Sequence, residues 1–266
     1  MLKKGLSQHL IKDRNILDKI VSLTSICRDD VVVEIGPGQG DLTHCIAERA
    51  GLVYAIEIDG SLKPYLDDVE KTYRNVKVIY DDFLDISLSQ FIDNRKIKVI
   101  GNIPYKITGP ILFKLIRERG VIKSAYLTVQ KEIAERIVST THRRTYGALS
   151  VNLQILSDVR MLFTLKPTVF IPPPKVESAL ISIIFKEDEL KIDEDLVEFV
   201  RLCFKHKRKY MKNSLSYRYG ADRIAILYKY MGFSANIRAE EIEPHGFKKM
   251  YMFMNSKQND LFIQGK

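Results

Sequence analysis

The chain has 266 residues, 45% of them hydrophobic, enough for one large core with a smaller appendage. Its formal net charge of +9 points to a polyanionic partner, the alternative being a basic but indifferent surface. No apolar run reaches the roughly 18 residues of a membrane span, and Cys27, Cys45 and Cys203 are widely spaced with no C-x-x-C pair, which argues against a disulfide framework or a zinc site. The start, Met1-Leu2-Lys3-Lys4-Gly5, has no apolar region after its charges, so the expectation is a soluble, cytoplasmic protein with no membrane or metal partner.

In chain order, Asp30-Val31-Val32-Val33-Glu34-Ile35 predicts a strand that ends at Gly36-Pro37-Gly38-Gln39-Gly40. A helix follows over residues 41–50, with Leu42, Ile46 and Ala50 on one face and Gly51 as its stop. Leu52-Val53-Tyr54-Ala55-Ile56 predicts a second strand running into Glu57-Ile58-Asp59. Next come a helix from Ser61 to about Tyr73, a strand Val76-Lys77-Val78-Ile79-Tyr80 and the acidic pair Asp81-Asp82. A fourth strand, Lys96-Ile97-Lys98-Val99-Ile100, leads into Gly101-Asn102-Ile103-Pro104-Tyr105. An amphipathic helix over 110–116 and a strand over 124–130 complete the pattern. Alternation at this spacing predicts an α/β fold with a doubly wound parallel sheet. Ligands of such sheets sit beyond the carboxyl ends of the strands, and Gly36, Glu57, Asp82 and Asn102 each terminate one of four successive strands.

The residue types at those ends carry chemistry. A dinucleotide fingerprint requires G-x-G-x-x-G, whereas this loop reads Gly36-x-Gly38-x-Gly40 with Asp41 in the last glycine's place, which weakens a pyrophosphate-binding interpretation. The glycines still allow a ligand close to the backbone. Glu57 is placed to accept both hydroxyls of a ribose, and Asp82 to accept an adenine amino group. Together they suit a nucleoside without pyrophosphate, such as S-adenosylmethionine. Asn102-Ile103-Pro104-Tyr105 follows the Asn/Asp-x-Pro-aromatic pattern of enzymes that methylate the exocyclic amine of adenine. The amine lone pair is delocalised into the ring. An asparagine oxygen and a main-chain carbonyl beside the proline can accept its N–H bonds and localise that pair. Pro104 stiffens the turn, and the Tyr105 ring offers a face to a base taken out of its stack.

The chain resembles the KsgA-type rRNA adenine dimethyltransferases, relatives of the erythromycin-resistance methyltransferases and the mitochondrial transcription factor B proteins. The resemblance runs from Ser7-Gln8-His9-Leu10-Ile11 to about Phe247. It includes Glu34-Ile35-Gly36-Pro37-Gly38-Gln39-Gly40, Ala55-Ile56-Glu57-Ile58-Asp59 and Asn102-Ile103-Pro104-Tyr105. It continues through Gln130-Lys131-Glu132-Ile133-Ala134-Glu135-Arg136, Tyr146-Gly147-Ala148-Leu149-Ser150-Val151 and Phe170-Ile171-Pro172-Pro173-Pro174-Lys175-Val176. It implies a Rossmann-like class I methyltransferase sheet, S-adenosylmethionine as methyl donor, and dimethylation of two adjacent adenines in the 3′-terminal hairpin of small-subunit rRNA. The partner would be that RNA within the pre-30S subunit, met by a monomer. The resemblance further implies that residues 1–20 cap the cofactor, with His9 and Ile11 in binding positions beside Gly36, Gly38, Glu57, Asp82 and Asn102. It places Phe170 on the target base opposite Tyr105. Two departures from the family pattern are Ser7 with Leu10, which replace a glycine and an aromatic, and Asp81, which replaces a glycine before Asp82.

From Arg201 to Arg218 there are seven Lys and Arg and no acid, while Val197, Val200, Phe204, Met211 and Leu215 keep helical spacing. That pattern predicts a helix with one buried stripe and a cationic face for phosphates, with Lys205, Lys207, Arg208, Lys209 and Lys212 as candidates. Lys3, Lys4, Lys12 and Arg14 add charge near the expected cofactor mouth. Helical periodicity continues to Phe253, so the expectation is a methyltransferase domain over 1–186 and a small all-helical RNA-binding domain over 187–266.

The enzymatic alternative is a resistance-type methyltransferase of large-subunit rRNA, against which stand Gln130-Lys131-Glu132 and the Tyr146–Val151 stretch. A second alternative is a ribosome-assembly or transcription factor that kept the fold without the chemistry. A nicotinamide dehydrogenase fits less well, given the glycine spacing.

Overall fold

The computed structural model describes residues 9–92, 95–187, 194–206 and 209–256. The chain divides into two compact units, one of Met1–Ala134 with Asp158–Lys186, the other of Glu135–Ser157 with Glu187–Lys266. A single boundary at residue 187 therefore omits Glu135–Ser157, which group with the second unit. A local sequence pattern cannot show this, because α5 (Lys131–Ile137) carries the chain out of the sheet unit and β7 (Ser157–Leu165) brings it back.

The first unit begins with β1 (Leu10–Ile11) and α1 (Arg14–Ser22). Asp13 caps α1, its carboxylate accepting from the Asn15 and Ile16 N–H groups. Next come β2 (Val31–Ile35), α2 (Asp41–Ala47), β3 (Leu52–Glu57), α3 (Lys63–Thr72) and β4 (Val76–Tyr80). They are followed by β5 (Ile97–Asn102), α4 (Thr108–Arg117) and β6 (Ile122–Gln130). β7, β8 (Phe170–Ile171) and β9 (Ser178–Phe185) complete the unit. The seven-stranded sheet has the order β4-β3-β2-β5-β6-β9-β7. β4, β3, β2, β5 and β6 are parallel, and β9 runs antiparallel to β6.

β2 and β5 are nearly continuous apolar runs because helices cover both faces of a parallel sheet. Val32, Val33, Val99, Ile97 and Ile100 are all 1% exposed or less. Burying each such side chain contributes roughly 1.5–3 kcal/mol. The chain winds outward from β2 to β3 and β4, then returns to the other side of β2 as β5. The crevice beyond the carboxyl ends of β2 and β5 is thus the topological switch point of the sheet. The two strands approach closely there. A Cβ on Gly101 would lie 2.7 Å from the Ile35 carbonyl oxygen, so glycine is required on steric grounds.

The short strands β1 and β8 pair antiparallel, Ile11 opposite Phe170. This two-stranded ribbon fastens residues 10 and 11 to the Phe170–Ile171 stretch.

The second unit holds α6 (Ala148–Leu156), α7 (Glu194–Cys203), α8 (Met211–Leu215), α9 (Ala221–Met231) and α10 (Pro244–Asn255). Its aromatic core includes the stacked pair Phe204–Phe247, 5.4 Å between centroids, and Tyr146, whose hydroxyl donates to the Ile242 carbonyl at 2.8 Å. The helix expected across 197–215 is interrupted between α7 and α8. The apolar stripe is nonetheless kept, since Val197, Val200, Met211 and Leu215 are buried. Among the described residues no helix is long and apolar enough to cross a membrane.

Candidate active site

A cavity of about 210 Å³ opens at the switch point. Its wall includes His9, Leu10, Gly36, Gly38, Glu57, Asp82, Asn102, Pro104 and Tyr105. The four strand ends singled out by the sequence thus converge on one crevice.

The loop after β2 bends through Gly36 at φ +65° and Gly38 at φ +62°, a left-handed region that L side chains adopt rarely. A Cβ on Gly38 would lie 2.6 Å from Leu10 Cδ2, so Gly38 is also what lets the N-terminal strand close over the loop. Lys12 reinforces that closure, donating to Gln39 Oε1 and to Asp41 Oδ2, each at 2.6 Å.

Glu57 closes the floor and is 2% exposed. Its Oε2 accepts the Gly38 N–H at 3.1 Å and its Oε1 the Asp59 N–H at 2.9 Å. Burial raises its pKa, against the two backbone donors, which favour the charged form. Each oxygen keeps a further lone pair, so the carboxylate can accept two ligand hydroxyls. Behind it Glu34 is 1% exposed, its pKa pushed up to about 8 by burial, and its Oε2 has no hydrogen-bond partner.

Asp82 is half-buried beside Asp81, with Oδ1 accepting the Leu84 N–H at 2.8 Å. Ile56, Ile58, Phe83, Leu84 and Ile107 supply apolar wall. An apolar slot with a buried carboxylate at one strand end and an exposed-edge aspartate at the next fits a purine nucleoside. The sequence signal for the slot is the pair Phe83-Leu84 directly after the two aspartates, which the motif reading passed over.

Asn102 ends β5 and is half-buried, its side-chain amide donating to the His9 main-chain carbonyl. That bond takes up an N–H of the amide, and Oδ1 is the acceptor the group offers. The Pro104 carbonyl accepts the Ile107 N–H at 3.2 Å and closes the turn into α4. The Tyr105 hydroxyl bonds Ser178 Oγ at 2.5 Å, and its ring lies 5.6 Å from that of His9. His9 Nδ1 in turn meets the Pro172 carbonyl at 2.7 Å.

Two expected site residues stand elsewhere. Ile11 is 4% exposed and off the cavity wall, where Leu10 takes its place. Phe170 is 1% exposed in the apolar cluster with Ile11, Leu17 and Ile20, so it presents no ring face opposite Tyr105. The cause is the β1–β8 pairing. Partners in an antiparallel pair share a face, and the face of Ile11 and Phe170 is the core.

The candidate RNA side chains of the second unit divide similarly. Lys205, Lys209 and Lys212 are exposed, whereas Lys207 and Arg208 lie outside the described residues. Lys205 Nζ sits 3.5 Å above the ring of Tyr217, which is 61% exposed and has its hydroxyl 3.0 Å from His206 Nε2. In the first unit Lys12 and Arg14 are tied up internally, Arg14 with Asp18 and Glu48. Lys3 and Lys4, like Ser7, lie outside the described residues.

The sequence profile of a family described as ribosomal RNA adenine dimethylase matches residues 1–256. The chain belongs to that family. A ribosomal RNA small subunit methyltransferase A from Ureaplasma urealyticum is 35% identical, the match covering 97% of this chain and 94% of that one. A protein of the same name from Alkaliphilus oremlandii is 40% identical over 80% of this chain and 77% of its own. Among solved structures, a dimethyladenosine transferase from Plasmodium falciparum superposes with a TM-score of 0.81 at 27% identity, covering 93% of this chain and 98% of that one. The 23S rRNA methyltransferase ErmE superposes less closely, with a TM-score of 0.71 at 25% identity over 93% and 100% of the two chains.

Proposed function

We propose that the chain is an S-adenosylmethionine-dependent enzyme that dimethylates the exocyclic amine of two adjacent adenines in the 3′-terminal hairpin of small-subunit rRNA. The convergence of Glu57, Asp82 and Asn102 on one switch-point crevice, in a chain of the ribosomal RNA adenine dimethylase family, carries this reading. S-adenosylmethionine, when bound, supplies an activated sulfonium methyl. Glu57 would hold the ribose hydroxyls, Asp82 the adenine amino group, and Gly36 and Gly38 the close approach of the backbone. The target amine would donate its N–H bonds to Asn102 Oδ1 and to the main-chain carbonyl beside Pro104, so that its lone pair points along the line of attack. Tyr105 would stack on the flipped base. The amine proton becomes acidic only after methylation, so the site needs no strong general base, and positioning supplies much of the acceleration.

His9 belongs to this site as part of a cap, with Leu10 rather than Ile11 at the wall. Lys205, Lys209 and Lys212, with Lys207 and Arg208 between them, are proposed to contact rRNA phosphates in the pre-30S subunit. The enzyme would act as a cytoplasmic monomer. The large-subunit alternative is weaker: the curated relatives carry the small-subunit name, and ErmE is the more distant structure. Incubation with unmethylated small subunits and labelled cofactor, followed by mass spectrometry of the rRNA, tests the reading. Label on two neighbouring adenines of the 3′ hairpin is the expected result. Label on large-subunit rRNA, or none, overturns it.

A further inference from the structure

The active-site crevice and the Lys205–Lys212 region leave one feature of the second unit unexplained. α9 buries Ile224, Leu227 and Tyr228, and α10 buries Phe247, Met250 and Met254. Both helices therefore have their apolar requirement met by these residues. Yet they line a separate groove with Ile226 and Tyr230, four residues apart on α9, and with Met252 and Phe253 on α10. Tyr230 and Met252 are each 62% exposed.

The geometry of that groove is specific. The rings of Tyr230 and Phe253 stack at 4.5 Å with an interplanar angle of 24°. One face of Tyr230 is held by Phe253 and much of the remaining ring meets solvent. Around the pair stand Lys229, Lys249 and His245, and among the described residues no Asp or Glu lines the groove. A purely apolar partner would gain nothing from that cationic border. A polyanion carrying flat apolar rings matches both features at once, because every base has a π-face and every nucleotide a phosphate.

We propose that Tyr230 and Phe253 form a stacking platform for an unpaired nucleobase of single-stranded RNA, with Lys229 and Lys249 meeting the adjoining phosphates. The inference rests on the rRNA-modifying reading above and adds to it a second contact, remote in sequence from Asn102 and from Lys205–Lys212. Stacking is tolerant of base identity, so the platform recognises an unstacked nucleotide rather than a sequence. It would favour RNA whose hairpins and junctions leave a base free.

The test uses the full chain and a fluorescein-labelled decamer of oligouridine, read by anisotropy across a salt series. Tyr230→Ala removes a mostly exposed ring, and an unchanged thermal midpoint and unchanged heat of S-adenosylmethionine binding will show that both units are intact. It is expected to weaken the oligonucleotide about tenfold with the salt slope preserved, while Tyr230→Phe stays within about twofold. Lys229→Gln with Lys249→Gln is expected to lower the slope of log affinity against log salt by about 1.4, two single-strand phosphate contacts. Decamers carrying 4-thiouridine are expected to cross-link to peptides within 221–256.

Tyr230→Ala binding as tightly as the original chain, or cross-links confined to other segments, overturns the platform. So does a concentration-dependent dimer that Met252→Lys abolishes without loss of RNA affinity, which would assign the groove to a second copy of the chain. Failure of the methyltransferase reading is distinguishable, since it would appear as absent cofactor heat and absent methyl transfer in the unaltered chain.

Discussion

The side-chain amide of Asn102 donates to the main-chain carbonyl of His9. The strand end that carries the expected amine acceptor is thereby tied to the segment that closes the crevice. The partner is backbone, so the tie survives changes in the His9 side chain. It also fixes the orientation of the amide, with the nitrogen toward the cap and Oδ1 left to accept. Asn102→Ala removes the acceptor, and the expected loss in methyl transfer is about 10²–10³-fold, the scale of removing one preorganised hydrogen-bonding group. RNA binding should change little. His9→Ala, which keeps the carbonyl, should reduce turnover far less. Single-turnover methylation of small subunits checks both, and near-normal transfer by Asn102→Ala would refute the assignment.

Glu57 accepts two backbone N–H groups and faces the cavity, so its removal acts in two ways. Glu57→Ala leaves the Gly38 and Asp59 donors unpaired and removes the acceptor for ligand hydroxyls. Each unsatisfied buried group costs about 1–3 kcal/mol. The expected outcome is a lower thermal midpoint together with cofactor binding weakened by at least about tenfold, measured by calorimetry. Glu57→Gln keeps the shape and one acceptor and should fall between. Equal affinity for all three proteins would remove Glu57 from the cofactor site.

Glu34 gives a prediction about pH. Burial pushes its pKa up to about 8 from an ordinary value of 4.5. Between those values the folded chain holds a proton that the unfolded chain has released, so stability falls as pH rises through that window. The contribution is present below pH 4.5 and is lost progressively up to pH 8. Its full size is on the order of 4–5 kcal/mol. Glu34→Gln, which cannot ionise, is expected to flatten this part of the profile. Denaturant unfolding at intervals from pH 5 to 9 checks it, and parallel profiles for the two proteins would sink it.

The parallel sheet is legible in the sequence because a strand buried on both faces reads as a nearly continuous apolar, β-branched run. Val31–Ile35, ending at Gly36, is such a case, whereas the edge strand Val76–Tyr80 buries only Val76. Three features are hidden, for different reasons. The break between α7 and α8 leaves no trace in periodicity, since Phe204 and Met211 are seven residues apart and two helical turns would place them on the same face. The burial of Phe170 depends on its pairing with Ile11, a contact between segments far apart in sequence. β7, with exposed Asp158, Arg160, Met161 and Thr164, lacks the apolar continuity that marks the central strands.

Gly101 tests the steric closeness of β2 and β5. A methyl group there meets the Ile35 carbonyl at 2.7 Å, and a backbone atom cannot rotate away as a side chain would. Gly101→Ala is expected to destabilise the sheet by about 1–3 kcal/mol and to weaken cofactor binding, since it parts the strands at the mouth of the crevice. Gly109→Ala is the control. It lies in α4 with no atom within 4 Å of the added carbon, and should be neutral or stabilising by about 0.5–1 kcal/mol. Thermal melts with and without cofactor separate the two effects.

Lys205, Lys209 and Lys212 are exposed, and the role proposed for them is to neutralise rRNA phosphates. Replacing all three by Gln removes three charges and no buried group. The expected result is a folded chain with unchanged cofactor affinity. Its affinity for small-subunit rRNA should fall uniformly across RNA sequences, and the slope of log affinity against log salt should drop by about 2–3. Lys205 also sits above the Tyr217 ring, so Lys205→Arg, which keeps both charge and ring contact, should hold most of the affinity. Filter binding at several salt concentrations measures the slope. If the triple variant keeps the original slope, these lysines face solvent and the phosphates are met elsewhere on the chain.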